Sequence, residues 1–174
     1  MMMRVLIVFW LFGIVVGLGL TGIWSAAVGQ EARLQVSITA ISDGDSLRAG
    51  KLRLRLHGID APEKKQLCST ASGESYACGQ QAADWLRSQI SPGQRLSCVL
   101  LDTDRYRRLI VQCFKEDMDL NQAVVRAGWA LAHTRYSDAY IQAEQQAKAE
   151  GIGLWQGPFM RPEEWRRQKR ERKK

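Results

Sequence analysis

Apolar and polar residues alternate with period two along Leu34-Gln-Val-Ser-Ile-Thr-Ala-Ile41, the pattern of a strand with one buried face. Asp43-Gly44-Asp45 follows as a turn, and Ser46–Arg48 resumes the extended pattern. Ala49-Gly50-Lys51 turns again, and Leu52-Arg-Leu-Arg-Leu56 alternates strictly. These segments predict a three-strand meander. From Ala77 to Ile90 the period changes: Ala82, Ala83, Leu86 and Ile90 recur at helical intervals, and Pro92-Gly93 stops the run. Leu96–Leu101 and Leu109–Phe114 predict two further strands, flanking the turn Asp104-Arg105-Tyr106-Arg107. Asp119 is placed to cap a helix over 120–127, with Gln122 at the capping-box position and Gly128 beyond the end. Ser137 is placed to cap another over 138–150, closed by Gly151. No internal repeat interrupts this order. Five short strands with helices outside them predict an α+β fold on a small closed or partly closed barrel, rather than a parallel sheet.

One segment fits none of these periods. Val5 to Trp24 carries no charge, follows Arg4, and precedes Ser25-Ala26-Ala27. A positive end before an apolar run predicts a hydrophobic export helix. The run exceeds the 7–15 residues usual for a signal-peptide core and approaches the ~20 that span a bilayer. A cleaved signal peptide and a retained membrane tether through residues 5–24 both fit it. In either case the expected site of action is extracytoplasmic: secreted, periplasmic or membrane-anchored. The organisation read from the chain is an export or anchor segment at 1–29, a folded domain at 30–160, and a basic tail at 161–174.

Charge then changes the picture of that tail. The chain of 174 residues has a formal net charge of +7, which invites a nucleic-acid partner. Residues 161–174 hold eight Lys/Arg against three Glu, a net of +5, whereas residues 30–160 are near neutral at +1. The basic excess belongs to the tail, which is expected to stay solvated as an accessory to binding.

Four cysteines, Cys68, Cys78, Cys98 and Cys113, all follow the export segment. An even number in a small exported domain favours disulfides. A symmetric hairpin about 104–107 sets position 98 opposite 113, at a separation that a disulfide bridges. Cys68–Cys78 then closes a small polar loop. No Cys-x-x-Cys spacing supports zinc.

Three segments carry chemistry: Asp43-Gly44-Asp45-Ser46 at a turn, Arg53-Leu-Arg55-Leu-His57-Gly-Ile-Asp60-Ala61-Pro62-Glu63 off a strand end, and Asp102-Thr-Asp104-Arg105-Tyr106-Arg107-Arg108 in the hairpin turn. Each alone is ordinary loop chemistry. Together, carboxylates from two loops supply the oxygen ligands that a hard cation such as Ca²⁺ takes. Arginines beside them suit phosphodiester cleavage. There a metal polarises one phosphate oxygen, guanidinium groups hold the others, and a free carboxylate deprotonates water.

In order and interval, Asp43-Gly-Asp45-Ser46, Arg55-Leu-His-Gly-Ile-Asp60-Ala-Pro-Glu63 and Asp104-Arg-Tyr-Arg-Arg108 resemble the staphylococcal nuclease (thermonuclease) family, and Asp119-Leu-Asn-Gln…Arg126-Ala-Gly-Trp-Ala extends the likeness. It spans about Leu34 to Trp155. The resemblance implies a five-stranded OB-type β-barrel with about three helices. It implies Ca²⁺ held by Asp45, Asp60 and the backbone carbonyl of Ala61, with Asp43 acting through water. It places the water-activating role on Glu63 and phosphate binding on Arg55 and Arg108. The implied activity is Ca²⁺-dependent endo- and exonucleolytic hydrolysis of DNA and/or RNA at the 5′-oxygen, leaving 3′-phosphate ends. Tyr106 and Tyr136 are implied substrate contacts, while Thr134 stands where the family has another tyrosine. Arg107 replaces a frequent glycine, and Ala61 a frequent threonine whose backbone alone is needed. No protein partner is evident. The competing expectations are a non-catalytic nucleic-acid-binding module of the same fold and an extracytoplasmic domain stapled by calcium. Neither has use for all of Asp45, Asp60, Glu63, Arg55 and Arg108.

Overall fold

A computed structural model describes residues 33–91 and 93–174. The apolar run 5–24, the expected hydrophobic helix and the boundary after residue 29 lie outside the described residues. Among the described residues, no helix is long and apolar enough to cross a membrane.

In chain order the strands and helices are β1 (Arg33–Ser37), β2 (Ala40–Asp43), β3 (Ser46–Ala49), β4 (Leu52–Leu56), β5 (Ile59–Asp60), β6 (Cys68–Ser69), β7 (Ser75–Tyr76), α1 (Cys78–Ser88), β8 (Arg95–Thr103), β9 (Leu109–Lys115), β10 (Met118–Asp119), α2 (Leu120–Arg126), β11 (Leu131–Ala132), α3 (Ile141–Glu150) and α4 (Pro162–Glu171). A 3₁₀ turn, Gly153–Gln156, joins the last two helices. The expected first strand, 34–41, divides at Ile38-Thr39. Its halves pair with opposite ends of one sheet ordered β1-β8-β9-β4-β3-β2, with β10 against β9. The sheet therefore begins and ends on a single stretch of chain. No ladder joins β1 to β2, so among the described residues the pairing is an open path where a five-stranded barrel was expected.

The core follows from the period-two pattern. Leu47 on β3 pairs with Leu54 on β4, and Leu54 and Leu56 pair in parallel with Leu109 and Val111 on β9. Leu47, Leu54, Leu56 and Val111 are buried, joined by Leu86 from α1 and Leu120 and Val124 from α2. Each such side chain, fully withdrawn from water, contributes about 1.5–3 kcal/mol. On the other face of β4 the odd positions hold Arg53 and Arg55, with Arg55 opposite Ser46. The alternation that buries the leucines thus aims an arginine at the Asp43–Asp45 turn.

Asp119 caps α2 as expected, accepting the Gln122 N–H at 3.1 Å. The expected start of α3 at 138 moves to Ile141. Ser137 Oγ instead accepts the Ala139 N–H at 3.2 Å, and this local turn delays the helix. Both disulfides form, Cys68–Cys78 and Cys98–Cys113. Cys98 does sit opposite Cys113. The hairpin is not symmetric, however: its loop is the three residues 105–107, and a bulge between Leu100 and Asp102 restores the register beyond it.

The tail at 161–174 is mostly exposed, as expected, but it is helical and anchored at its start. Most of it is helix α4, with Pro162 in its first turn, Glu163 and Glu164 just after, and Lys169 and Arg170 at its end. Proline at the start and charges complementary to the helix dipole favour a helix here. Pro162 is buried. The approach to α4 is sewn to the 63–70 loop: buried Gln66 donates from Nε2 to the Met160 carbonyl at 2.7 Å, and the Ser69 N–H donates to the Pro158 carbonyl at 3.1 Å.

Candidate active site

The β2–β3 hairpin carries Asp43 and Asp45 at its tip, where Asp43 faces Ser46 across the turn and a bulge bends β2. A Cβ on Gly44 would lie 2.9 Å from the Cβ atoms of both Ala61 and Ala82, so only glycine lets this turn sit under α1 and the next loop. The Asp45 side chain turns inward. Its Oδ2 accepts the Ala61 N–H at 2.9 Å, and its Oδ1 accepts from Ser46 Oγ and Arg55 Nη1, each at 2.9 Å.

Asp60 is fixed by the short β5–β11 ladder, opposite Leu131. Asp45 and Asp60 are 2% and 5% exposed, so their charges need partners. Arg55 supplies one through a fork: Nη1 to Asp45, and Nη2 to Asp60 Oδ1 at 3.1 Å. Attraction to Asp45 outweighs burial and raises the Arg55 guanidinium above its ordinary value. The resemblance directs Arg55 to phosphate, but in the free protein it holds two carboxylates together.

Glu63 follows Pro62, its carbonyl accepting the Gln66 N–H at 2.7 Å. A Cβ on Gly79, at the start of α1, would lie 1.8 Å from that carbonyl oxygen. The helix therefore packs directly onto the backbone that carries Glu63. Asp43 Oδ1 accepts the Lys64 N–H at 3.0 Å and ties the two loops. Burial, then repulsion from Asp45 and Glu63, lifts the Asp43 carboxyl above the usual carboxylate range.

Arg108 lies across the cleft, in the hairpin turn. Asp104 Oδ1 accepts the N–H groups of Tyr106 and Arg108 at 2.8 and 2.9 Å, and Asp104 Oδ2 accepts Arg108 Nε at 2.7 Å. Although burial opposes it, these bonds hold Asp104 below its ordinary range. Arg53 donates to the Tyr106 carbonyl and pins the turn from β4. Arg107 has φ +61°, the left-handed residue that a three-residue hairpin loop demands, and glycine suits it better. Arg107→Gly should therefore raise stability by about 0.5–1 kcal/mol, the relief of left-handed strain less glycine's extra unfolded-state entropy. Urea unfolding measures it, and a loss would show that the Arg107 side chain contributes to the turn.

These pieces surround a cleft of about 1010 Å³ lined by Arg55, Glu63, Tyr106, Arg108 and Tyr136 among others. Tyr106 and Tyr136 are exposed, with Arg105 and Arg108 over the Tyr106 ring and His133 against Tyr136. Asp43, Asp45 and Ala61 are not part of this lining. Asp60 opens onto a smaller hollow with Thr134 and Arg161. The sequence reading missed one member. Arg166 of α4 lines the cleft and donates from Nη1 to Glu63 Oε1 at 3.1 Å and from Nη2 to Asp60 Oδ2 at 3.0 Å. The signal for it was Pro162-Glu163-Glu164 ahead of Lys169-Arg170, a helix signature within a basic run.

Among the described residues, no three carboxylate, histidine or cysteine groups stand ready around one point as a preformed metal cage. The donor chemistry nonetheless fits a hard divalent cation. Asp43, Asp45, Asp60 and Glu63 bring four negative charges, and Arg55 and Arg166 offset two. Two remain, a balance that a divalent cation completes.

The family described as "Staphylococcal nuclease homologue" matches residues 53–157. A succinoglycan biosynthesis protein ExoI of Rhizobium meliloti is 33% identical over 118 residues, covering 67% of this chain and 62% of that protein. Uncharacterized endonucleases of Haemophilus influenzae and Escherichia coli O157:H7 are 33% identical over 141 residues and 32% identical over 125. These cover 76% and 68% of this chain, and 73% and 74% of those proteins. The chain thus spans less than two thirds of the first relative and nearly three quarters of the other two.

Proposed function

We propose, for a chain that belongs to the staphylococcal nuclease family, that it is a calcium-dependent endonuclease, hydrolysing phosphodiester bonds of DNA and/or RNA to 3′-phosphate ends. The observation that carries this reading is the convergence of Glu63, Arg55 and Arg108 on one cleft, in front of buried Asp45 and Asp60. The names of two relatives as endonucleases support it.

Asp45, Asp60 and the Ala61 carbonyl, with Asp43 through water, would hold Ca²⁺, which when bound would supply Lewis-acid polarisation of a phosphate oxygen. Glu63 takes a proton from the attacking water. The water oxygen bonds to phosphorus as the bond to the 5′-oxygen breaks, and that oxygen leaves with a proton taken from solvent. Arg55 and Arg108 bind the remaining phosphate oxygens and hold the charge that grows on them. Tyr106 and Tyr136 offer exposed rings for bases to stack on. A module that only bound nucleic acid would gain nothing from four carboxylates, which repel phosphate.

The curled sheet, returning to its own first strand, fits an OB-type barrel. The uncharged run 5–24 fits an exported protein, cleaved or anchored. Purified full-length protein is expected to degrade DNA or RNA with Ca²⁺ and to stop when a chelator is added. Intact DNA and RNA under every divalent metal tried would refute the nuclease reading.

A further inference from the structure

We propose that Arg166 is a third phosphate-binding guanidinium of this site, held in the free protein on Asp60 and Glu63 and released to a phosphate oxygen when a divalent cation and nucleic acid enter. The proposal rests on the nuclease reading above and assigns α4 as a wall of its cleft.

The docking of α4 is built into the fold. Gln66 and Ser69 hold the segment before it by the bonds described. Gly157 approaches so closely that a Cβ there would lie 2.3 Å from the Ser69 carbonyl oxygen. This places Arg166, 106 residues from Asp60 in sequence, with its side chain 27% exposed at the site. Burial alone would lower its guanidinium, but bonding to Asp60 and then Glu63 outweighs that and raises it. Arg170, one turn further on, lines the same cleft.

The partners of Arg166 decide its role. They are the carboxylate assigned to the cation and the carboxylate assigned to the water. Neither can serve fully while a guanidinium holds it. Asp60 is bracketed, with Arg55 on Oδ1 and Arg166 on Oδ2. Once a divalent charge balances the carboxylates, the attraction holding Arg166 is largely cancelled. The nearest new anion is then the phosphate lying against the same groups. A planar fork that already spans two carboxylate oxygens suits two phosphate oxygens.

The test compares the full chain with R166A and R166K, using calorimetric Ca²⁺ titration and turnover of a DNA oligonucleotide at saturating Ca²⁺. R166A should bind Ca²⁺ about tenfold more tightly, because a like charge has left the site. Its kcat/KM should fall about a hundredfold, as for loss of one transition-state donor. R166K should recover only part of the rate, since an ammonium lacks the fork. R166Q, neutral and polar, carries both readouts if R166A does not fold. Unchanged or faster turnover in R166A would make the contact only a block and overturn the proposal. Weaker Ca²⁺ binding would make it only structural and overturn it too. No Ca²⁺ binding by either protein would instead refute the cation reading beneath the proposal, and the proposal would fall with it.

Discussion

Glu63→Gln is expected to lower kcat by about 10²–10⁴, the usual contribution of a general base, while leaving oligonucleotide affinity within a few-fold of the unaltered chain. The substitution keeps the shape of the side chain. A glutamine oxygen can still accept Arg166 Nη1, and the backbone that positions residue 63, clamped by Gln66 and Gly79, is untouched. What disappears is the ability to take a proton from water. The effect should therefore fall on turnover. Steady-state kinetics and oligonucleotide titration at matched Ca²⁺ measure both. Equal losses in turnover and affinity would show that Glu63 acts through binding or structure, and its role as base would be lost.

The second large effect is on stability. Arg55→Ala removes the fork shared by Asp45 and Asp60, whose side chains are only 3% and 6% exposed. Removing one partner of a buried ion pair costs about 3–5 kcal/mol, because uncompensated charge stays behind. Added Ca²⁺ should raise the variant's Tm more than that of the unaltered chain, since it replaces the missing charge. Melting curves with and without Ca²⁺ test this. An equal gain in Tm for both proteins would mean that lost packing, not lost charge, is responsible. Activity should fall as well, since Arg55 is also a phosphate ligand in the proposed mechanism.

What the sequence made legible was local. Period two in Leu52–Leu56 identified the buried leucines and, by the same alternation, the face carrying Arg55. Turn chemistry placed Asp43, Asp45 and Asp104. The match of Cys98 to Cys113 came out as expected for a reason that symmetry did not contain: an odd loop and a bulge offset each other. Less legible were features set by distant partners. Nothing within 34–41 says that the strand divides to serve both ends of a sheet. Arg55 and Arg108 were read as free for phosphate, but a buried carboxylate lies within reach of one and Asp104 folds back on the other. Arg166 was hidden by composition: eight basic residues among fourteen suggest solvent, which most of them do face, and the two carboxylates that draw Arg166 in lie far away in sequence.

The docked helix begins at Pro162, after the family match ends at Trp155-Gln-Gly157. The carboxylates of the proposed site lie in one part of the chain, and the arginine bonded to Asp60 and Glu63 is appended beyond it. Such an arrangement makes the two inheritable apart. In the proposed site, a change in this last helix would alter calcium affinity with no motif residue altered.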